Sequence, residues 1–213
     1  MFGPAQNGRV AHMKATSLLV SLLALTLGCS RPAASPQADG TTDSPTVAVT
    51  ADMGSPHAGD TAPDFDLVDQ TGAHVKLTSL RGSVVVVAFV TSYCPFSKAA
   101  QPSLVEIAHD YASRGVKVVA VDVKESDEAY REYVGRMPMP FPVLRDADGA
   151  VSTSYTPAKA QPGMIDRSQV VVTSKLVIDK QGKIRFFTLL DTQHFDAKLV
   201  HLRRALDRVV EET

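Results

Sequence analysis

The sequence predicts an α/β domain built on a mixed sheet, and three stretches carry that prediction. Val84–Val90 and Val116–Val123 are near-continuous apolar, β-branched runs, the pattern of strands covered on both faces. Between them Leu104, Ile107, Ala108 and Tyr111 recur at helical spacing, so the unit reads as strand, helix, strand with a right-handed crossover and parallel neighbours. Towards the C-terminus, Lys175–Ile178 and Lys183–Leu190 flank Asp179-Lys180-Gln181-Gly182, which has the composition of a tight turn between antiparallel strands.

From the N-terminus, Met13-Lys14 precedes an apolar run, Ala15–Leu27, which falls short of the roughly 20 residues needed to span a bilayer but suits a signal peptide. Met13 is then the expected start. The run ends in Leu25-Thr26-Leu27-Gly28-Cys29, which resembles a bacterial lipoprotein box, with Thr26 standing where Leu is usual. Residues 1–28 therefore read as a signal peptide and Cys29 as a lipidation site; ordinary cleavage nearby is the alternative. Residues 29–59 are rich in Pro, Ala, Ser, Thr, Gly and Asp, a composition that buries too little surface to offset its ordering entropy, and read as a flexible tether. Residues 60–213 form the folded domain. This layout predicts a bacterial cell-envelope protein held on a membrane by lipid and facing the periplasm or the exterior.

Within the domain, Phe65–Leu67 and His74–Leu77 flank Asp69-Gln70-Thr71-Gly72 as an N-terminal hairpin extension. Gly115 is placed to end the first helix. Ser126-Asp127 can cap a second helix reaching Arg136, with Ala129, Tyr130, Tyr133 and Val134 as its apolar positions. Each proline in Met137–Pro142 removes a donor and biases its predecessor to extended geometry, which delivers the chain to a short strand at Val143-Leu144. Asp146–Gly149 turns, Ala150–Tyr155 is a short helix, and Thr156–Ser168 is a long loop. Val170–Val172 and Lys175–Ile178 are two strands or one bulged strand, and Phe195, Leu199, Leu202, Leu206 and Val209 mark a closing amphipathic helix.

Charge and composition exclude some functions. With Lys+Arg 22 against Asp+Glu 23 and no basic run, the chain has no electrostatic footprint for nucleic acid. Its six histidines lack ligand spacing, and nothing calls for a metal or a cofactor.

The chemistry concentrates at Cys94. Val84–Val90 ends at Thr91-Ser92-Tyr93, and Cys94-Pro95 opens the helix, so the thiol stands at the carboxyl edge of a buried strand and at a helix N-terminus. Free backbone N–H groups and the positive end of the helix dipole favour a thiolate there, and Lys98 adds an ammonium one turn on. The bland reading is an inert, packed cysteine. The chain has two cysteines; if Cys29 is acylated, Cys94 is a single thiol, and otherwise a bridge from tether to core is open to it.

These segments resemble the thioredoxin fold, in the branch holding the TlpA/ResA-like thiol-disulfide proteins and the AhpC/TSA peroxiredoxins. The resemblance runs from about Gly59 to the C-terminus and includes Ala62–Leu67 and Leu80-Arg81-Gly82. It implies a thioredoxin-like mixed central sheet with helices on both faces. The departures are as informative. Where disulfide-exchange relatives carry Cys-x-x-Cys, this chain has Cys94-Pro95-Phe96-Ser97, so Ser97 can donate a hydrogen bond but cannot close a disulfide. Thr173 stands at the position of the family's cis-proline. Thr91 matches the threonine of the peroxiredoxin pattern, but Val87 replaces its proline, and its peroxide-holding arginine falls near Thr173, leaving Arg145 or Arg185 as substitutes. A copper-delivery branch uses Cys-x-x-x-Cys, where Lys98 replaces the second cysteine. The resemblance thus implies an oxidoreductase acting on a peroxide or on a thiol or disulfide through Cys94, with an external thiol as reductant. Its rivals are a non-catalytic thioredoxin-fold binding module and, third, a copper-delivery protein.

Overall fold

In the computed structural model, which describes residues 53–136, 138–160 and 173–212, the apolar runs become the centre of a sheet. The strands of that sheet are β3 (Val84–Val90), β4 (Val116–Val123), β5 (Val143–Asp146), β6 (Ser174–Ile178) and β7 (Ile184–Leu189); β1 (Asp66–Val68) and β2 (His74–Lys76) form a separate hairpin. The helices are α1 (Pro95–Asp110), α2 (Asp127–Arg136), α3 (Ala150–Ser154) and α4 (Val200–Glu212). The five strands lie in the order β5-β4-β3-β6-β7. β3 is parallel to β4 and β4 to β5, whereas β6 runs antiparallel to both β3 and β7. Cys29, the expected leader and Val170–Val172 lie outside the described residues.

The topology decides which face each helix covers. Two right-handed crossovers that step the same way, β3 to β4 and β4 to β5, put both connecting helices on one side of the sheet. Accordingly Val84, Val86, Ala88 and Val90 pack with Ala100, Leu104 and Ile107 of α1, Tyr130 and Tyr133 of α2, and Leu202, Leu206 and Val209 of α4. The other face of β3, Val85, Val87 and Phe89, meets Ala62, Phe65, Leu77 and Tyr155. Helices do cover both faces, but on the second they are short, the single turn of α3 and a 3-10 turn at Leu77–Leu80, and the leading segment supplies the rest.

Two boundaries differ from the sequence reading. The closing helix begins at Val200, after Phe195 and Leu199. Leu199 has a left-handed φ of 52°, and the Asp196 carboxylate accepts the His201 N–H at 3.1 Å, so the capping loop takes up residues that apolar spacing alone had put in the helix. Packing also starts inside the segment whose composition reads as a tether: Met53 packs against the second core, and the Gly59 N–H donates to the Ile184 carbonyl at 2.7 Å.

The N-terminal hairpin closes an open edge. β5 would present bare backbone groups, but the Val143 N–H donates to Gln70 Oε1 at 2.8 Å and Gln70 Nε2 donates to the Phe141 carbonyl at 3.4 Å. Beside it Asp69 makes an antiparallel backbone bridge with Leu144, so one side chain and one bridge together stand in for a strand. Because both bonds go with it, Gln70→Ala is expected to destabilise the domain by about 1–2 kcal/mol in chemical denaturation with an unchanged m-value.

Candidate active site

β3 delivers Thr91 to the carboxyl edge of the sheet, and the next three residues turn the chain into α1. Cys94 is the N-cap of that helix, in extended geometry with φ −74° and ψ 118°, and Pro95 occupies its first position. The turn is fixed from both ends. The Cys94 N–H donates to the Thr91 carbonyl at 3.3 Å, the Lys98 N–H closes the first helical turn on the Cys94 carbonyl at 3.1 Å, and the Thr91 N–H donates to Ser97 Oγ at 3.4 Å. Pro95 has no N–H, so the donors left outside the helical ladder near the sulfur are those of Phe96 and Ser97. The thiol is free and half-buried. Tyr93 beside it is 66% exposed, and Phe96 packs edge-on against Phe195 with centroids 4.9 Å apart.

Of the residues singled out in the sequence, Thr91 and Ser97 lie buried at this turn, and Lys98 is exposed one helical turn on. Thr173 reaches the same edge from the other side: it precedes β6, is buried, and its carbonyl accepts the Leu190 N–H at 3.0 Å. The two arginines separate. Arg185 follows the Ile184↔Ile178 pair, and β6 runs opposite to β3, so Arg185 stands at the far end of the sheet from Cys94, bound to Asp179 and Glu212. Arg145 does lie at the carboxyl edge, paired in register with Asp122 and ion-paired to Asp127.

Three buried charged residues at this edge did not figure among the sequence candidates. Lys175 is 7% exposed and pairs with Ala88 across the β3–β6 ladder, which puts it on the α1 face. Burial holds its ammonium below the ordinary lysine range, opposed by the negative charges of Cys94 and Asp196. Asp122 is fully buried opposite Val90, on the same face. Burial pushes its carboxyl up to about 7, the Glu125 charge adds to the rise, and Arg145 opposes it. Glu125 is buried and accepts the Ser92 N–H on Oε1. Around this acid pair Thr91 Oγ1, Gln101 Nε2, both Asp122 oxygens, Glu125 Oε2 and Arg145 Nε are buried without a hydrogen-bond partner. So many buried polar atoms without a protein partner set this edge apart from ordinary apolar packing. The signal in the sequence was a charged residue inside an apolar strand run, at Asp122 and again at Lys175.

Among the described residues, no group of three or more His, Cys, Asp or Glu side chains is arranged to hold a metal ion, and no helix is long and apolar enough to cross a membrane.

A five-stranded mixed sheet with a cysteine at the strand-to-helix turn of its central strand defines a thioredoxin-fold redoxin. More particularly, residues 58–187 match the AhpC/TSA family, and the chain belongs to it. It is similar to the thiol-disulfide oxidoreductase ResA of Bacillus thuringiensis, 28% identical over 126 residues that are 59% of this chain and 66% of the relative. The ResA of Halalkalibacterium halodurans is 30% identical over 105 residues, 49% of this chain and 60% of the relative. The chain thus spans just under two thirds of the length of these curated relatives. Among solved structures, one described as a thiol:disulfide interchange protein DsbE from Chlorobium tepidum is 26% identical with a TM-score of 0.59, covering 72% of this chain and 97% of its own. Peroxidoxin BcpB from Mycobacterium tuberculosis, 22% identical with a TM-score of 0.57 over 73% and 96%, shares the fold.

Asp122 gives a pH test. Its folded value lies above the unfolded one of 3.8, so the native state holds the extra proton between 3.8 and about 7, and stability contributed by the neutral acid is lost as pH rises through that window. Asp122→Asn should therefore be nearly neutral at pH 4 and stabilising above pH 7, with roughly 4 kcal/mol as the ceiling. Urea denaturation of both proteins across this range checks it; a difference independent of pH would contradict the assignment.

Proposed function

We propose that the protein is a single-cysteine thiol-disulfide oxidoreductase in which Cys94 attacks a disulfide and an external thiol releases it. The observation that carries this reading is the place of Cys94 at the start of α1, beside N–H groups outside the helical ladder, with the buried Lys175 on the α1 face near the same edge of the sheet. Those N–H groups and the positive end of the helix dipole offer stabilisation to negative charge on the sulfur as it attacks or departs. The first step makes a Cys94–substrate disulfide and expels the other half of the substrate as a thiolate. Ser97 holds the Thr91 turn and has no sulfur with which to displace that substrate, so a thiol from outside the chain must do so. Thr91 and Thr173 frame the sulfur from β3 and β6, and Lys98 offers a cation on the solvent side. The orphaned Thr91 Oγ1 supports a second reading, peroxide reduction, in which Cys94 passes through a sulfenic acid before the same external thiol resolves it.

Incubated with a low-mass disulfide, the wild type is expected to stall as a mixed disulfide at Cys94, read by intact mass. Ser97→Cys should instead form an internal bridge, since residues three apart in the first helical turn lie within disulfide reach. Lys175→Met should slow formation of the mixed disulfide by about tenfold, equivalent to roughly 1.4 kcal/mol. A Cys94 that forms no adduct with either a disulfide or a stoichiometric peroxide would leave only the binding-module reading.

We place the domain, by the same proposal, on a membrane through Cys29, with residues 1–28 removed as a leader. The mature protein from a Gram-negative host should partition into detergent with an acylated N-terminal Cys29, and Cys29→Ala should lose the modification. An unmodified Cys29 in a detergent-independent mature chain would reject the anchor.

A further inference from the structure

A groove of about 290 Å³ runs between α1 and α2, lined by Ser92, Lys98, Gln101, Glu132, Tyr133 and Arg136 among others. It starts at the reactive turn. Ser92 is two residues before Cys94, while Lys98 and Gln101 follow it at i+4 and i+7, one face of the helix. At 1.5 Å per residue the stripe from Cys94 to Gln101 is about 10 Å long. Gln101 is 3% exposed and its Nε2 meets no acceptor. Lys98 makes no ion pair among the described residues, and Arg136 reaches the rim with only its helix neighbour Glu132 as partner. The groove therefore offers an unused amide donor, an unpaired ammonium and a guanidinium, with one rim carboxylate, Glu132, already engaged. Tyr133 lines it too, with its hydroxyl pushed up to about 12 by burial and by the Asp122 and Glu125 charges behind it.

We propose that this groove holds the carboxylate of the low-mass thiol that resolves Cys94. The inference rests on the thiol-disulfide reading above and adds the class of its second substrate. A space of about 290 Å³ is at the small end for ligand pockets, which fits a thiol of a few carbons and an acid group better than a folded partner. Lys98 and Arg136 supply charge and Gln101 a directed hydrogen bond to the carboxylate, so its thiolate is held beside the Cys94 adduct. That thiolate attacks the substrate sulfur of the mixed disulfide; the bond from Cys94 to that sulfur breaks, a disulfide between the substrate and the resolving thiol forms, and Cys94 departs as a thiolate. The resolving thiol is oxidised and Cys94 reduced, two electrons moving with the exchanged bond.

The test uses the full chain with Cys29→Ser, loaded at Cys94 with 2-mercaptoethanol as a mixed disulfide. It is challenged at equal thiolate concentrations with 3-mercaptopropionate, 2-mercaptoethanol and cysteamine, and the return of the reduced chain is followed by quenched intact mass. 3-Mercaptopropionate should react about tenfold faster than 2-mercaptoethanol and saturate, as one charge-assisted hydrogen bond permits. Gln101→Leu and, separately, the exposed Arg136→Gln should each cut that preference at least threefold while leaving the 2-mercaptoethanol rate unchanged. Equal rates for the three thiols, faster reaction with cysteamine, or a preference that survives both substitutions would overturn the subsite. Failure of Cys94 to form any mixed disulfide would instead bring down the underlying reading, and the subsite with it.

Discussion

The structure depends on the burial of Val84–Val90 on both faces. Every residue of that strand is covered, so it can lie only at the centre of the sheet, with parallel β4 on one side and antiparallel β6 on the other. A chain leaving such a strand cannot bend back without abandoning ladder hydrogen bonds. It must run to the carboxyl edge and turn there, and the first helix must return over the apolar side chains of β3. Cys94 falls at the point where strand geometry has ended and helical geometry has not begun, which is why its side chain is half-buried, with unladdered N–H groups beside it.

Charge at that edge is arranged in two halves. On the β6 side Lys175 is buried on the α1 face of the sheet, where burial lowers its ammonium and the charges of Cys94 and Asp196 oppose that fall. On the β4 side two buried carboxyls, Asp122 and Glu125, lie with Arg145, and burial together with the Glu125 charge raises Asp122 while Arg145 opposes the rise. Glu125 is tied to the backbone of Ser92, so the acid pair is mechanically joined to the turn that carries Cys94. Neither half resembles a packed apolar core, and each costs stability that the surrounding layers of valine, leucine and aromatic side chains must offset.

The sheet, its parallel and antiparallel halves, the N-terminal hairpin and the strand-to-helix position of Cys94 were legible because each rests on a local signal: an apolar run, a turn composition, a proline at a helix start. The start of α4 was not, since Phe195 and Leu199 keep helical spacing while a side-chain cap from Asp196 and a left-handed Leu199 set the boundary one turn later. Within the site, Thr91 and Ser97 were readable from their distance to Cys94 along the chain. Lys175, Asp122 and Glu125 were not, because what brings them to the cysteine is strand register across the sheet, and a charged residue in an apolar run gives no sign of which neighbour it meets. Arg185 illustrates the converse: its charge suited a role at the site, and the antiparallel direction of β6 carries it to the opposite end.

The second core carries a consequence for the order in which the domain is completed. Its cover comes from the leading segment, whose backbone is held by residues more than a hundred positions later: the Ala62 N–H donates to the Gly182 carbonyl and the Ile184 N–H to the Asp60 carbonyl. On a ribosome the segment around Asp60–Phe65 therefore emerges well before the hairpin that will hold it, and the face formed by Val85, Val87 and Phe89 stays open until β6 and β7 have been made. Long-range closure of this kind is slow and leaves apolar strand surface waiting. The part of the domain synthesised first is the part secured last, and a nascent chain halted before Gly182 would display half of its core to whatever passes.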